Sequence, residues 1–259
     1  MSYWADRMAQ SQTNLSNKNI KKIEKQIAKY YGQAAERVIA DFEATHNKLL
    51  ATIEEGKQPT PADLYKLDKY WQMQGQLRQE LRKLGEKEIA ALTKMFEVSF
   101  FDVYYSIGIE GATAFSTIES AAAMQLINQV WVADGKSWSQ RIWDNTELLA
   151  EKLNEELLHC VVTGKKTTEL KQLLQEDFGV SYSRADSLVR TEIAHIQTQA
   201  AKQRYEDYGI QEVEIWADAD ERRCEVCGKL HQKKYPIGAQ VPIPAHPRCR
   251  CCIVPVVKQ

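Results

Sequence analysis

Cys224-Glu225-Val226-Cys227-Gly228 and, eighteen residues later, His246-Pro247-Arg248-Cys249-Arg250-Cys251-Cys252 decide how the C-terminal end of this chain folds. Five of the six cysteines lie in these two pieces. A Cys-x-x-Cys turn brings two thiolates to one ion, because the intervening backbone amides point at the sulfurs and stabilise their charge. His246 and Cys249 are three apart, so a second turn, stiffened by Pro247, brings both to the same ion. Cys224, Cys227, His246 and Cys249 are the predicted ligands of a structural Zn2+ ion. Cys251 is an alternate fourth ligand, since an extended Cys249-Arg250-Cys251 puts both thiols on one face. His231, four beyond Cys227, is a further rival. Four protein ligands leave no open position for water, and a module this small would draw much of its folding energy from the metal. The competing reading is a set of reduced, metal-free thiols around a small β core.

Working outward, the charge is uneven. From Glu221 to the end, eight basic side chains face two acidic ones, a net +6, whereas the whole chain of 259 residues carries -1 and the remainder therefore -7. Lys233, Lys234 and Arg250 are the candidate contacts to nucleic-acid phosphate. Basic side chains offsetting zinc-bound thiolates explain the same excess. The N-terminus lacks a signal pattern and no run of about eighteen apolar residues exists, so no transmembrane helix is expected. A reducing cytoplasm follows, where clustered cysteines hold metal more often than they form disulfides. Cys160, alone on a predicted helix, reads as a small buried apolar side chain.

Upstream the pattern is helical. Ile20, Ile23, Ile27, Tyr30 or Tyr31, Ala34, Val38, Phe42, Leu49 and Ile53 recur at spacings of three and four, which predicts a long helix from about Asn17 to Glu55. Gly56 and Gln58-Pro59-Thr60-Pro61 mark a turn, with Thr60 as N-cap and Asp63 three residues on. Leu64, Leu67, Trp71, Leu77, Leu81 and Leu84 form the next stripe, which Gly85 breaks or weakens. Ile89, Leu92, Met95, Phe96, Phe100, Phe101, Tyr104 and Tyr105 follow; this aromatic run reads as core rather than as a docking face. Gly108 and Gly111 precede a helix around Ser116–Val132 and a turn at Asp134–Ser137. A helix from about Ser139 to Val162 is closed by Gly164, and Thr167 or Thr168 caps a short helix. Phe178-Gly179-Val180 is expected to turn the chain before a last helix from Arg184 to about Tyr208, ended by Gly209. Val213–Trp216 and Cys252–Val257 read as strands. The predicted fold is therefore mostly α, with long N-terminal helices and a small C-terminal α+β zinc-binding module. Residues 1–134 form an extended helical arm and 135–259 a second domain, with the zinc-knuckle β module at about 213–257.

Catalytic patterns fail on spacing. Gly135-Lys136-Ser137 has Val130 where a phosphate loop needs glycine, and Gly164-Lys165-Lys166-Thr167 has His159 there. Asp218, Asp220, Glu221, His231 and His246 surround the knuckle as a metal-dependent nuclease would require, but the expected ligands already fill the ion. Arg190-Thr191-Glu192 reads as a contact fixing its helix to the zinc module rather than as a catalytic pair. No enzyme is expected.

Several pieces, in order, resemble one family. They are Ser137-Trp138-Ser139-Gln140-Arg141-Ile142-Trp143, Gly164 with its Thr-capped helix, Ala185 through Arg190-Thr191-Glu192, and Tyr205 to Gly209 with Trp216. Asp220-x-x-x-Cys224-x-x-Cys227-Gly228 and His246-Pro247-x-Cys249-Arg250-Cys251 complete the series. Over roughly Gly135 to Pro255 this is similar to the phage head morphogenesis domain of minor head proteins of the Mu protein F type. The N-terminal helices resemble the variable arm preceding that domain in minor capsid proteins. The resemblance implies a minor component of the virion, inside the phage head near the portal vertex and made in the bacterial host cytoplasm. It also implies roles in head morphogenesis and in DNA packaging or ejection. The implied partners are the portal protein and other head proteins, with phage DNA touched through non-specific phosphate contacts. It implies that Cys224, Cys227, His246 and Cys249 match the family's cysteine and histidine positions; Cys252 departs from the pattern. Some relatives carry a toxin or enzyme domain after this module, and none is expected after Gln259. Two other functions compete: a zinc-dependent nucleic-acid-binding protein or HNH-like nuclease, and an interaction protein or toxin carrier derived from a head protein.

Overall fold

The computed structural model describes residues 3–51, 60–62, 68–108, 117–217 and 223–257. Its elements are α1 (Tyr3–Ala51), α2 (Asp68–Ser106), α3 (Ser120–Ile127), α4 (Trp138–Val162), α5 (Thr167–Asp207), β1 (Glu212–Trp216), α6 (Glu225–Leu230), β2 (Lys234–Pro236) and β3 (Cys252–Pro255). The turn at Gly56–Pro59, Asp63, Leu64, Leu67, Ile53 and Gly111 lie outside the described residues, as do Asp218, Asp220 and Glu221; of the Leu49 side chain nothing is described. Among the described residues no helix is long and apolar enough to cross a membrane.

The chain forms two compact units, each built from separated stretches of sequence. One holds residues 25–91 and 139–185. Its core is a helical stripe from each contributor: Ile27, Tyr31, Ala34, Val38 and Phe42; Tyr70, Met73, Leu77, Leu81 and Leu84; Ile142, Leu149, Leu153 and Leu157; Leu170, Leu174 and Phe178. Helix α2 runs straight through Gly85. A Cβ there would lie 2.6 Å from the Trp143 ring, so the missing side chain is the space that ring occupies. The expected stripe holds at Leu77, Leu81 and Leu84 and differs at one position: Trp71 is 56% exposed and Tyr70 is buried in its place, donating a hydrogen bond to Asn154 Oδ1 at 2.6 Å. Cys160 is fully buried, as an apolar side chain would be.

The other unit holds residues 1–24, 92–138 and 186–259. Phe96, Phe100 and Tyr104 are core, as expected, whereas Tyr105 is 54% exposed. Trp138 packs edge-on against Phe96, with ring centroids 5.1 Å apart. Three boundaries differ from the expected ones. Helix α1 begins at Tyr3, not Asn17, because its first turns bury Ala9 and the polar Gln12 rather than an apolar stripe. Gln12 Nε2 donates to the Ile253 carbonyl at 3.0 Å and to Tyr205 Oη at 3.2 Å. Helix α3 is shorter than 116–132: the Asn128 side chain returns to the Met124 carbonyl and β-branched residues follow. Helix α5 passes through Phe178-Gly179-Val180 without a turn. Glycine costs a helix about 1 kcal/mol, which burial of Phe178 and Leu174 on one side of it and Ala185 and Val189 on the other outweighs. Helices α4 and α5 end as expected on glycines in the left-handed region, Gly164 (φ 65) and Gly209 (φ 72). Lys165 N–H reaches back to the Cys160 carbonyl and Ile210 N–H to the Tyr205 carbonyl, at 2.9 and 3.0 Å, which satisfies carbonyls that the helix ends would orphan.

The sheet has the order β2-β1-β3, antiparallel throughout. Val213 and Ile215 point into the core and pair with Pro255 and Ile253. Edge strand β2, not expected from the sequence, pairs Lys234 with Glu214 and ends on Pro236, a residue an edge tolerates.

In the helical unit, Glu88 is 1% exposed and Tyr31 Oη donates to its Oε2 at 3.3 Å. Burial pushes its carboxyl up to about 7 from 4.5. The folded state therefore holds an extra proton between those values, and stability falls as pH rises through that window and stays lower above it. Glu88→Gln removes the fall: the variant should exceed the parent by about 3 kcal/mol near pH 8 and match it near pH 4. Denaturant unfolding at both values checks this, and a constant difference between the two proteins contradicts it.

Candidate metal centre

Cys224 caps α6: its sulfur accepts the Cys227 N–H at 3.4 Å, and Gly228 N–H bonds the Cys224 carbonyl at 2.9 Å. This tight turn sets the two sulfurs on one side. His246 comes from the loop after β2. Its Nε2 lies 3.3 Å from Cys224 Sγ and 3.1 Å from Cys227 Sγ. Its Nδ1–H donates to the Pro247 carbonyl at 2.8 Å, which leaves Nε2 as the free lone pair facing the sulfurs. Cys227 Sγ is also 3.8 Å from Cys249 Sγ.

Two donor clusters result, Cys224–Cys227–His246 and Cys227–Cys249–Cys251, each with all donor atoms within 4.8 Å of one another and sharing Cys227. A tetrahedral ion with bonds of about 2.3 Å to sulfur and about 2.0 Å to nitrogen separates sulfurs by about 3.8 Å and sulfur from nitrogen by about 3.5 Å. The observed separations fit such an ion without rearranging the backbone. Both clusters could hold a metal ion, and Cys249 and Cys251 stand equally beside Cys227 as completing donors.

The electrostatics agree. The Cys251 thiol donates a hydrogen bond that pulls Cys249 down to about 5, and the same bond pushes Cys251 up. Burial pushes Cys227 up to about 12. Cys224 is lowered, chiefly by the Cys227 N–H, and His246 is raised, chiefly by its bond to the Pro247 carbonyl. So many thiols cannot ionise together unaided; a bound cation reverses that balance and deprotonates its ligands.

The remaining candidates separate. His231 stands away from both clusters: Nδ1 accepts the Ala217 N–H at 3.2 Å and the ring packs edge-on to Trp216 at 5.0 Å. Cys252 opens β3 and donates to the Trp216 carbonyl at 3.8 Å. Lys233, Lys234 and Arg250 are all exposed.

The Arg190-Thr191-Glu192 element holds this segment. Thr191 Oγ1 accepts the Arg248 N–H at 3.0 Å, and Arg248 Nη2 pairs with Asp186 Oδ2 at 2.6 Å. Arg190 pairs with Asp186 and with Glu24. Glu192 takes the Trp131 indole N–H at 3.0 Å. Arg248 has φ 61, a conformation that side chains disfavour, and these contacts hold it there. Asp186 and Glu24 escaped the sequence reading; the spacing of four between Asp186 and Arg190 was the available signal for the first.

With the geometry in view, residues 151–254 match the family model described as Phage Mu protein F like protein. No curated protein and no solved structure matches the chain.

Replacing both Cys224 and Cys227 by serine should abolish stoichiometric metal in the purified protein and loosen the β-containing segment while leaving helical circular dichroism nearly intact. Elemental analysis with unchanged metal content would show that the wrong donors were chosen.

Proposed function

We propose, from the match of residues 151–254 to the Phage Mu protein F like family model, that the chain is a minor head protein of a phage. In this reading it is a virion component, inside the head, associated with the portal and with other head proteins, and acting in head morphogenesis and in DNA packaging or ejection. The observation that carries the reading is the coincidence of the family segment with the Cys224–Cys251 donor clusters and their Thr191–Arg248 anchor.

The metal we assign is zinc, held by Cys224, Cys227, His246 and Cys249, with Cys251 as alternate fourth donor. Mixed sulfur and imidazole donors at tetrahedral spacing suit zinc. When bound, zinc supplies a cross-link between α6 and the loop before β3. No catalysis is assigned to the chain, since a closed donor set leaves no position for a reacting water. Lys233, Lys234 and Arg250 supply non-specific phosphate contacts to packaged DNA, which require only positive charge and exposure.

Mass spectrometry of purified particles tests the virion assignment. The protein should be present in intact heads at a fixed ratio to the portal; its absence from heads, with the free protein cleaving DNA in divalent metal, would establish the nuclease reading instead. Separately, Lys233→Ala, Lys234→Ala and Arg250→Ala combined should weaken DNA binding about uniformly across sequences and flatten its salt dependence. Binding with an unaltered salt slope would place the DNA contact elsewhere.

A further inference from the structure

Side chains of α5, of the segment after α3 and of the loop after β2 line a cavity of about 490 Å³. Small-molecule sites span about 300–1,000 Å³, whereas a water occupies about 30 Å³. His195 lines the cavity. It is 4% exposed, yet neither ring nitrogen has a hydrogen-bond partner among the described residues. Burial keeps the ring neutral by pushing its pKa down to about 4 from 6.5. One nitrogen is then an N–H donor and the other a lone pair. Native proteins pair nearly all such buried atoms, and the neighbours of His195 conform. Thr198 Oγ1 donates to the Ala194 carbonyl at 2.8 Å, and Glu192 accepts the Trp131 indole N–H at 3.0 Å.

The imidazole lies flat on the Trp131 ring, with centroids 4.3 Å apart and planes 10° apart. The indole is the wider ring, so a planar group set edge to edge with the imidazole continues that stack. Charge is balanced: Lys202 and Glu206 are the ionised side chains among the lining residues, and the Lys202 ammonium donates to the Ala239 carbonyl at 3.2 Å. Gln129, Gln199 and Gln240 add amides, which both donate and accept. Val130, which also lines the cavity, is 46% exposed, apolar surface that a flat ring would cover. No residue of β1, β2 or β3 lines it, so a peptide finds no strand edge there to pair with.

We propose that the cavity binds one uncharged nucleobase, set beside His195 over the Trp131 ring, with His195 and the glutamine amides reading its donor–acceptor edge. Aromatic faces and hydrogen-bonding side chains recognise unpaired bases in this way. The base has two sources, a free nucleoside or an unpaired base of single-stranded nucleic acid. No metal donor lines the cavity, nor does Lys233, Lys234 or Arg250, so the site stands apart from the metal centre and from the phosphate contacts assigned above.

Isothermal titration calorimetry of the full chain, as purified, with each of the common deoxynucleosides tests this. At least one should bind saturably. His195→Phe, which keeps a flat ring against Trp131 and removes both nitrogens, should weaken it at least tenfold; a thermal melt checks that the variant folds. In the unaltered protein, nucleoside should move the NMR resonances of the His195 ring nitrogens, a readout that needs no variant. Displacement of the nucleoside by a short single-stranded DNA oligonucleotide supports the site with nucleic acid as its source. Nucleoside binding that a saturating oligonucleotide leaves intact supports the site with the free nucleoside as its ligand. No saturable binding, unchanged affinity in folded His195→Phe, or unmoved ring-nitrogen resonances overturns the proposal.

Discussion

Sulfur crowding is the constraint on which the C-terminal end depends. Cys227 has Cys224, His246, Cys249 and Cys251 around it, and among the described residues between β1 and β3 only six are helical and three lie in an edge strand. So little regular structure cannot fix the path of such a stretch by hydrogen bonding alone. Donor atoms at tetrahedral spacing would do so when they hold an ion, because each ligand removes freedom from a different part of the loop. The Nδ1–H of His246 shows how far the sequence goes to arrange this: it is spent on the adjacent Pro247 carbonyl, and the ring therefore presents its other nitrogen to the sulfurs.

The rest of that unit is fastened by polar contacts between residues far apart in sequence. Gln12 and Tyr205 both donate to the Ile253 carbonyl, Thr191 accepts from Arg248, and Glu192 accepts from Trp131. Each bond contributes about 1 kcal/mol net, but removing one partner strands the other in a dry interior at greater cost. Such contacts therefore act less as a source of stability than as a check on position. Arg204 is a further instance: its guanidinium lies 4.9 and 4.3 Å from the Tyr104 and Tyr208 ring centres.

What was legible in the sequence follows from the same distinction. Apolar period marked most of the helical stripes, and Gly164 and Gly209 marked helix ends because both residues must take positive φ. Gly179 and Gly85 misled or stayed ambiguous because a glycine with ordinary helical φ breaks nothing when its neighbours are buried. The start of α1 was invisible because its inward residues include Gln12, a core residue that no hydrophobic pattern reports. Strand β2 was invisible because an edge strand of Lys-Tyr-Pro needs only backbone pairing. At the site, ligand types and spacing pointed to Cys224, Cys227, His246 and Cys249, and the structure sets these four, with Cys251, in two donor clusters that could hold a metal ion. Nothing in one sequence told that Asp186, on a different element, would hold Arg248.

The segment Arg248-Cys249-Arg250-Cys251 joins these themes. Its burial alternates: the two arginines are exposed and the two cysteines buried. Extended backbone gives such a period of two from Cys249 to Cys251, whereas Arg248 stands in the preceding turn with φ 61. One face therefore carries the thiols and the other the guanidinium groups. A slip of one residue would exchange the faces and place charge in the core and thiols in solvent. Register must therefore be pinned at both ends, and it is. Thr191 and Asp186 hold Arg248 at one end, and pairing of Cys252 with Trp216 in the sheet holds the other. The Arg190-Thr191-Glu192 helix and the cysteine cluster are thus parts of one device, in which the helix sets the register that makes the donors converge.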